Sequence, residues 1–229
     1  MLKRLLIYLV LLSCIACQNS NETSKSGLTV IDDLGRTITL QTQPHRIVSL
    51  SPNATEVISF LAPDSILVGR SLHCDYPITV LDKPGIPTYP ELDIESLIKI
   101  QCDLVITYEG MLPLATAEKL ESLNIPVYYA YYPDANSLFK NIKKLTEIIP
   151  IKHNAFFKID SLEKQYNSIK PLNTTYSTLY LLSEKPIYAY GNETFFTDKI
   201  QLLGSTNCID STIREHYPVI QPELILKWN

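Results

Sequence analysis

In RIVSLSPNATEVISFL, residues 46–61, a short apolar run from Arg46 to Leu50 meets a helix start at Ser51-Pro52-Asn53, and a helical run follows from Asn53 to Leu61. Proline suits that place, because its fixed φ fits the first turn and its missing N–H would have no partner there. The same unit recurs downstream. Ile66 to Gly69 reads as a strand, Ile94 to Ile100 as a helix begun by Asp93, and Leu104 to Tyr108 as a strand. Leu114 to Leu123 then reads as a helix and Ile125 to Tyr131 as another strand. Short β-rich runs alternating with helices predict a mainly parallel sheet covered by helices. Upstream, the turn signal Asp33-Leu34-Gly35 between two alternating runs predicts a hairpin over Val30 to Leu40.

After Pro133 the rhythm changes. Ala135 to Ile149 and Ile151 to Ile169 carry apolar residues near helical spacing, interrupted only at Pro150. Strand patterns resume at Thr178 to Ser183 and Ile187 to Tyr190, followed by a helix from Thr194 to Leu203 with Gly204 as its stop. An internal repeat links the two halves. Tyr89-Pro-Glu-Leu-Asp-Ile-Glu-Ser-Leu-Ile-Lys99 lies on Tyr217-Pro-Val-Ile-Gln-Pro-Glu-Leu-Ile-Leu-Lys227 at constant offset, with Tyr, Pro, Glu and Lys coinciding. The expected fold class is α/β, two Rossmann-like α/β lobes joined by a long helix. The boundaries are an N-terminal lobe over 28–133, a helical region over 134–170 including the interlobe backbone helix, and a C-terminal lobe over 171–229. In the first copy of the repeat a strand, Cys102 to Ile106, follows the helix; in the second the sequence stops at Asn229. The C-terminal lobe is therefore expected to be truncated, lacking at least that strand.

Composition narrows the function. With 45% hydrophobic and 19% charged residues, the chain can bury real cores and is not a disordered segment. The 20 Lys+Arg against 24 Asp+Glu, with no basic run beyond Lys3-Arg4 and Lys143-Lys144, give no footprint for nucleic acid. Fourteen tyrosines suit a cleft for an amphipathic ligand, and solvated core edges account for them equally well. Residues 1–17 begin with Lys3-Arg4 and an apolar run, Leu5 to Leu12, far short of the roughly 20 residues that a bilayer span needs. They read as an export signal ending at a lipidated cysteine, Cys17 or alternatively Cys14, with a flexible tether over 18–27. An ordinary secretory signal without lipidation is the plainer reading. Cys74, Cys102 and Cys208 show no metal-like spacing; one bridge with a thiol left over is possible.

From about Val30 to its end the chain resembles the iron-siderophore and cobalamin substrate-binding proteins of ABC importers. The resemblance rests on Arg46 to Glu56, Val68-Gly-Arg-Ser-Leu-His-Cys-Asp-Tyr-Pro77, Glu91 to Ile106, Ile187 to Asp198 and Leu203 to Ile209. It implies an exported, membrane-anchored protein that captures a metal chelate between two lobes and delivers it to a membrane permease, with no cofactor and no catalysis. It also implies that Tyr89 and Tyr217 face each other as ligand-contacting rings. His73 falls where a cleft aromatic is expected, and Tyr190, at the end of the second lobe's strand, is expected as a further ligand contact. Glu95 and Glu223, each in the first turn of its helix, match the glutamates with which this family docks onto permease arginines, with Glu56 as runner-up. A carboxylate near a helix N-terminus also stabilises the helix by about 0.3–1 kcal/mol with no partner at all.

Rival classes find less support. Ser51, His73, Cys74 and Asp75 form the one tempting catalytic cluster, but neighbours in an extended loop point apart and no GxSxG, HExxH or P-loop pattern occurs. A direct zinc or manganese receptor needs several convergent ligands, and His45, His73, His153 and His216 are scattered. A non-functional truncated relative is the other alternative.

Overall fold

The computed structural model describes residues 27–172 and 176–228. The expected signal, most of the tether, Cys14 and Cys17 lie outside the described residues. Strands β1 (Leu28–Ile31) and β2 (Thr37–Leu40) form the expected antiparallel hairpin. Its turn is held by the Asp32 carboxylate, which accepts from Leu34 N at 3.0 Å and Arg36 N at 2.8 Å, with Gly35 at φ 78°.

The N-terminal lobe follows as β3 (Ile47–Ser49), α1 (Pro52–Leu61), β4 (Leu67–Ser71), β5 (Gly85–Ile86), α2 (Ile94–Ile100), β6 (Leu104–Tyr108), α3 (Leu114–Ser122) and β7 (Val127–Ala130). Its five strands make one parallel sheet in the order β5-β4-β3-β6-β7. Strand side chains alternate between faces, and both faces here are covered. Ile47, Leu104, Ile106 and Tyr128 therefore enter one apolar cluster, while Val48, Val105, Val127 and Tyr129 enter the other. That is why β7 reads as an unbroken run of apolar and aromatic residues and β6 as one interrupted only by Thr107. Asp93 begins α2 as expected, accepting from Ser96 N at 3.1 Å, and Gln101 ends it at φ 56°. The two-residue β5 had no sequence signal.

The helical region is two helices, α4 (Ala135–Ile148) and α5 (Ala155–Asn167), separated at the interruption that the sequence marks at Pro150. Pro150 causes the break, because it offers no N–H to a continuing helix and disfavours helical backbone in the residue before it; Ile149 is extended at ψ 151°. Lys152 N then donates to Leu61 O at 2.7 Å, fixing the corner onto α1.

The C-terminal lobe contains β8 (Tyr176–Thr178), β9 (Leu181–Glu184), β10 (Ile187–Ala189), α6 (Phe195–Leu202), β11 (Ser205–Asn207) and the short α7 (Pro222–Ile225). The strand expected over Thr178 to Ser183 is two: β8 pairs in parallel with β11, whereas β9 pairs antiparallel with β10. Ala189, Ile209 and Ile220 form the lobe's buried core, with Ile213, Leu224, Ile225 and Trp228 packed partly buried around it. Cys74, Cys102 and Cys208 are all unpaired, so the possible bridge is absent among the described residues.

Candidate functional site

Strand order reverses between β3 and β6, where β3 leads to β4 on one side and to β6 on the other. In such sheets the crevice beyond the carboxyl ends of the strands is the expected ligand site. Tyr108 closes β6, Glu109 follows it, and Tyr131 follows β7. They hold their places because Glu109 N donates to Ala130 O at 2.9 Å. Across from them stand Tyr190, His216, Tyr217 and the start of α6, and together these residues line a cavity of about 260 Å³ between the lobes. A larger cavity, about 490 Å³, lies at the opposite, amino edge of the first sheet, lined by polar residues such as Thr37, Gln41, Asp103 and Asn124. It lies away from the switch point and the second lobe.

The cleft wall is a chain of rings. Tyr108 meets Tyr132 edge-on at 4.9 Å and Tyr131 at 6.3 Å, and Tyr131 reaches His216 across the cleft at 6.3 Å. On the far side Tyr190 stacks on Phe196 at 4.6 Å and meets Tyr217 at 5.8 Å. Tyr217 is placed there by backbone pairing: Ala189 N donates to Pro218 O at 3.1 Å and Gly191 N to His216 O at 2.8 Å. Gly191 permits that approach, since a Cβ on it would fall 2.1 Å from Glu215 O.

Burial pushes the Tyr108 hydroxyl up to about 12, and also raises Tyr131 and Tyr217, with nearby Glu109 adding to all three. These rings remain neutral hydroxyl donors and acceptors at physiological pH. His216 Nδ1 lies 2.9 Å from Glu193 O. A carbonyl only accepts, so Nδ1 carries the proton, and in the neutral ring Nε2 is left as an acceptor. The arrangement offers apolar faces, neutral hydroxyls and one imidazole to a ligand between two lobes.

Of the residues singled out in the sequence, Tyr190 and Tyr217 line this cavity, while Tyr89 and His73 do not. Both of the latter are on loops at the same carboxyl edge of the sheet, after β5 and β4 respectively. His73 is exposed, and Tyr89, at 85% exposure, stands free on the rim. Tyr108, Glu109 and Tyr131 were missed. The signal was available, because each sits at or just past the end of a strand legible in the sequence. Glu95 and Glu223 are exposed in the first turns of α2 and α7. Among the described residues no group of three or more His, Cys, Asp or Glu is disposed to hold a metal ion, and no helix is long and apolar enough to cross a membrane.

The sequence profile described as periplasmic binding protein matches residues 47–229. The vitamin B12-binding protein of Vibrio campbellii is 29% identical over 188 residues, which make up 79% of this chain and 66% of that protein. This chain thus spans slightly under two thirds of that relative's length. The vitamin B12-binding protein of Vibrio parahaemolyticus is 25% identical over 193 residues, 82% of this chain and 70% of its own. Among solved structures, the periplasmic vitamin B12-binding protein of Vibrio cholerae superposes with a TM-score of 0.66 at 26% identity, covering 81% of this chain and 74% of that one. A possible iron-binding periplasmic solute-binding protein of Staphylococcus epidermidis superposes with a TM-score of 0.68 at 26% identity, covering 82% and 75%.

Proposed function

This chain belongs to the periplasmic binding protein family, and on that premise we propose that it is the substrate-binding component of an ABC importer, capturing a metal chelate such as a corrinoid, a ferric siderophore or haem. The observation that carries this reading is the aromatic cleft between the lobes, where Tyr108 and Tyr131 on one side face Tyr190 and Tyr217 on the other. Rings with few rotors present a large amphipathic surface at low entropy cost, which suits a broad, partly apolar chelate better than a bare ion. Tyr89 and His73 supply further contacts from the rim. The chemistry is binding and release, with Glu95 and Glu223 as the exposed carboxylates that meet the permease, one on each lobe. Export and anchoring through Cys17 or Cys14 complete the reading.

Calorimetric titration with cyanocobalamin, a set of ferric siderophores, hemin and zinc tests it. Micromolar or tighter binding of one chelate is the expected result. Binding of zinc alone overturns the reading in favour of a direct metal-ion receptor.

A further inference from the structure

The cleft has a charge as well as a shape. Four carboxylates border it and the adjoining recess along Tyr131, Pro133 and Thr194, and no Lys or Arg lines either space. Three of the four are already engaged. Asp134 accepts from Ser137 N at 2.7 Å, Glu193 pairs with Arg214 at 2.9 Å, and Asp198 pairs with Lys199 at 2.6 Å. Glu109 differs. Among the described residues its carboxylate has no hydrogen-bond or ion-pair partner, yet it lines the cavity and sits near enough to Tyr108, Tyr131 and Tyr217 to act on all three hydroxyls.

Building on the chelate-receptor reading, we infer that Glu109 selects the ligand by charge: the cleft takes an uncharged or cationic chelate whose rim carries N–H donors such as amides, and disfavours chelates bearing carboxylates or an anionic metal centre. An ionised carboxylate only accepts hydrogen bonds. An amide N–H from the ligand would satisfy it with a charge-assisted bond, whereas a ligand carboxylate would face it as an unscreened like charge. Glu193, already paired with Arg214, adds less to this selection. Position matters too, since Glu109 follows β6 at the switch-point edge and lines the same cavity as the rings.

The test titrates the full chain, Glu109→Gln and Glu109→Asp with four probes: cyanocobalamin, the cationic ferrioxamine B, hemin with its two propionates, and the trianionic ferric enterobactin. Circular dichroism checks that each protein is folded. In the unaltered chain cyanocobalamin or ferrioxamine B binds at least about tenfold more tightly than either anionic probe, a modest demand on one like charge in a half-buried site. Glu109→Gln, equal in shape but uncharged, strengthens the anionic probes by about tenfold and closes the gap. Glu109→Asp keeps the original order, and 0.5 M salt narrows the gap only in proteins that retain the carboxylate. A preference for hemin or ferric enterobactin in the unaltered chain, or an unchanged order in Glu109→Gln, overturns the role of Glu109 and leaves the receptor reading standing. If none of the four probes binds, the receptor reading itself falls, and this inference with it.

Discussion

In the N-terminal lobe five parallel strands share one hydrogen-bonded sheet with apolar clusters on both faces, whereas β8 to β11 in the C-terminal lobe form two separate pairs and the lobe's apolar cluster has only three buried members. Leu181, Leu182, Leu203, Val219 and Leu226 of the second lobe remain exposed. The difference shows that one alternation of strand and helix can produce a self-supporting layer or a set of short pieces. What decides between them is how many strands find neighbours. The second lobe is held in register by its attachments. Asp198 on α6 accepts from Ala135 N at 3.2 Å and from Tyr166 OH at 3.2 Å, tying α6 to both helices of the middle region. Lys199 Nζ adds a contact 4.6 Å from the Tyr166 ring centre.

The largest expected effect is on the first lobe's sheet. Ile106→Ala, at a fully buried site on the central strands, should cost about 2–5 kcal/mol of unfolding free energy in urea titration. Ile220→Ala in the small core should instead raise hydrogen exchange across 176–228 while leaving exchange in β3 and β6 unchanged. Equal loss of protection in both lobes would mean that they unfold as one unit.

The proposed docking sharpens the comparison, because it would use one exposed glutamate from each lobe, Glu95 and Glu223. Glu95→Ala and Glu223→Ala together are expected to lower permease-dependent uptake by more than about tenfold, with the ligand dissociation constant changed by less than about twofold, the uptake loss being that of paired charge contacts. A large drop in ligand affinity would show them to be structural or cleft residues. Next come the rings: Tyr131→Ala and Tyr217→Ala should each weaken chelate binding by about 1–3 kcal/mol in calorimetry, the scale of a buried aromatic contact. If only one of them matters, the ligand rests on one lobe.

The smallest effect concerns the clasp. Burial opposes ionisation of Asp198, but the hydrogen bond from Lys199, the Ala135 N–H, the lysine charge and the Tyr166 hydroxyl outweigh it and hold the carboxyl below its ordinary range. A depressed folded-state pKa gives stability that is present above the unfolded value of about 3.9 and lost as pH falls through the folded one. Asp198→Asn should therefore reduce the melting temperature at pH 7 by a few degrees, and the two proteins should converge on acidification below about pH 4. A constant difference down to pH 2 would place the clasp's effect in packing.

Much of this was legible in residues 46–131, because a parallel sheet covered on both faces demands nearly continuous apolar runs, and β3, β6 and β7 have them, broken only by Ser49 and Thr107. The β5 strand escaped notice because two residues, Gly85 and Ile86, carry no periodicity. The split of β8 from β9 was hidden for a different reason: the apolar pattern over Thr178 to Ser183 is continuous, and only the choice of partners separates it. Pro150 was visible as an interruption, yet the turn it produces depends on Lys152 finding Leu61 on another helix. In the cleft, Tyr217 and Tyr190 stood out through repeat and resemblance. Tyr108, Glu109 and Tyr131 could be picked out only by asking which residues stand past the ends of strands on the side where the order reverses.

The sequence has one tryptophan, and Trp228 packs at the edge of the second lobe's small core. Indole emission excited at the red edge is thus a label confined by nature to the half with the smaller core. A red shift would report loosening there while the large sheet stayed silent. Because coloured chelates absorb where indole emits, quenching of the same signal would record arrival of a ligand in the cleft, so one optical channel would follow both events without chemical tagging.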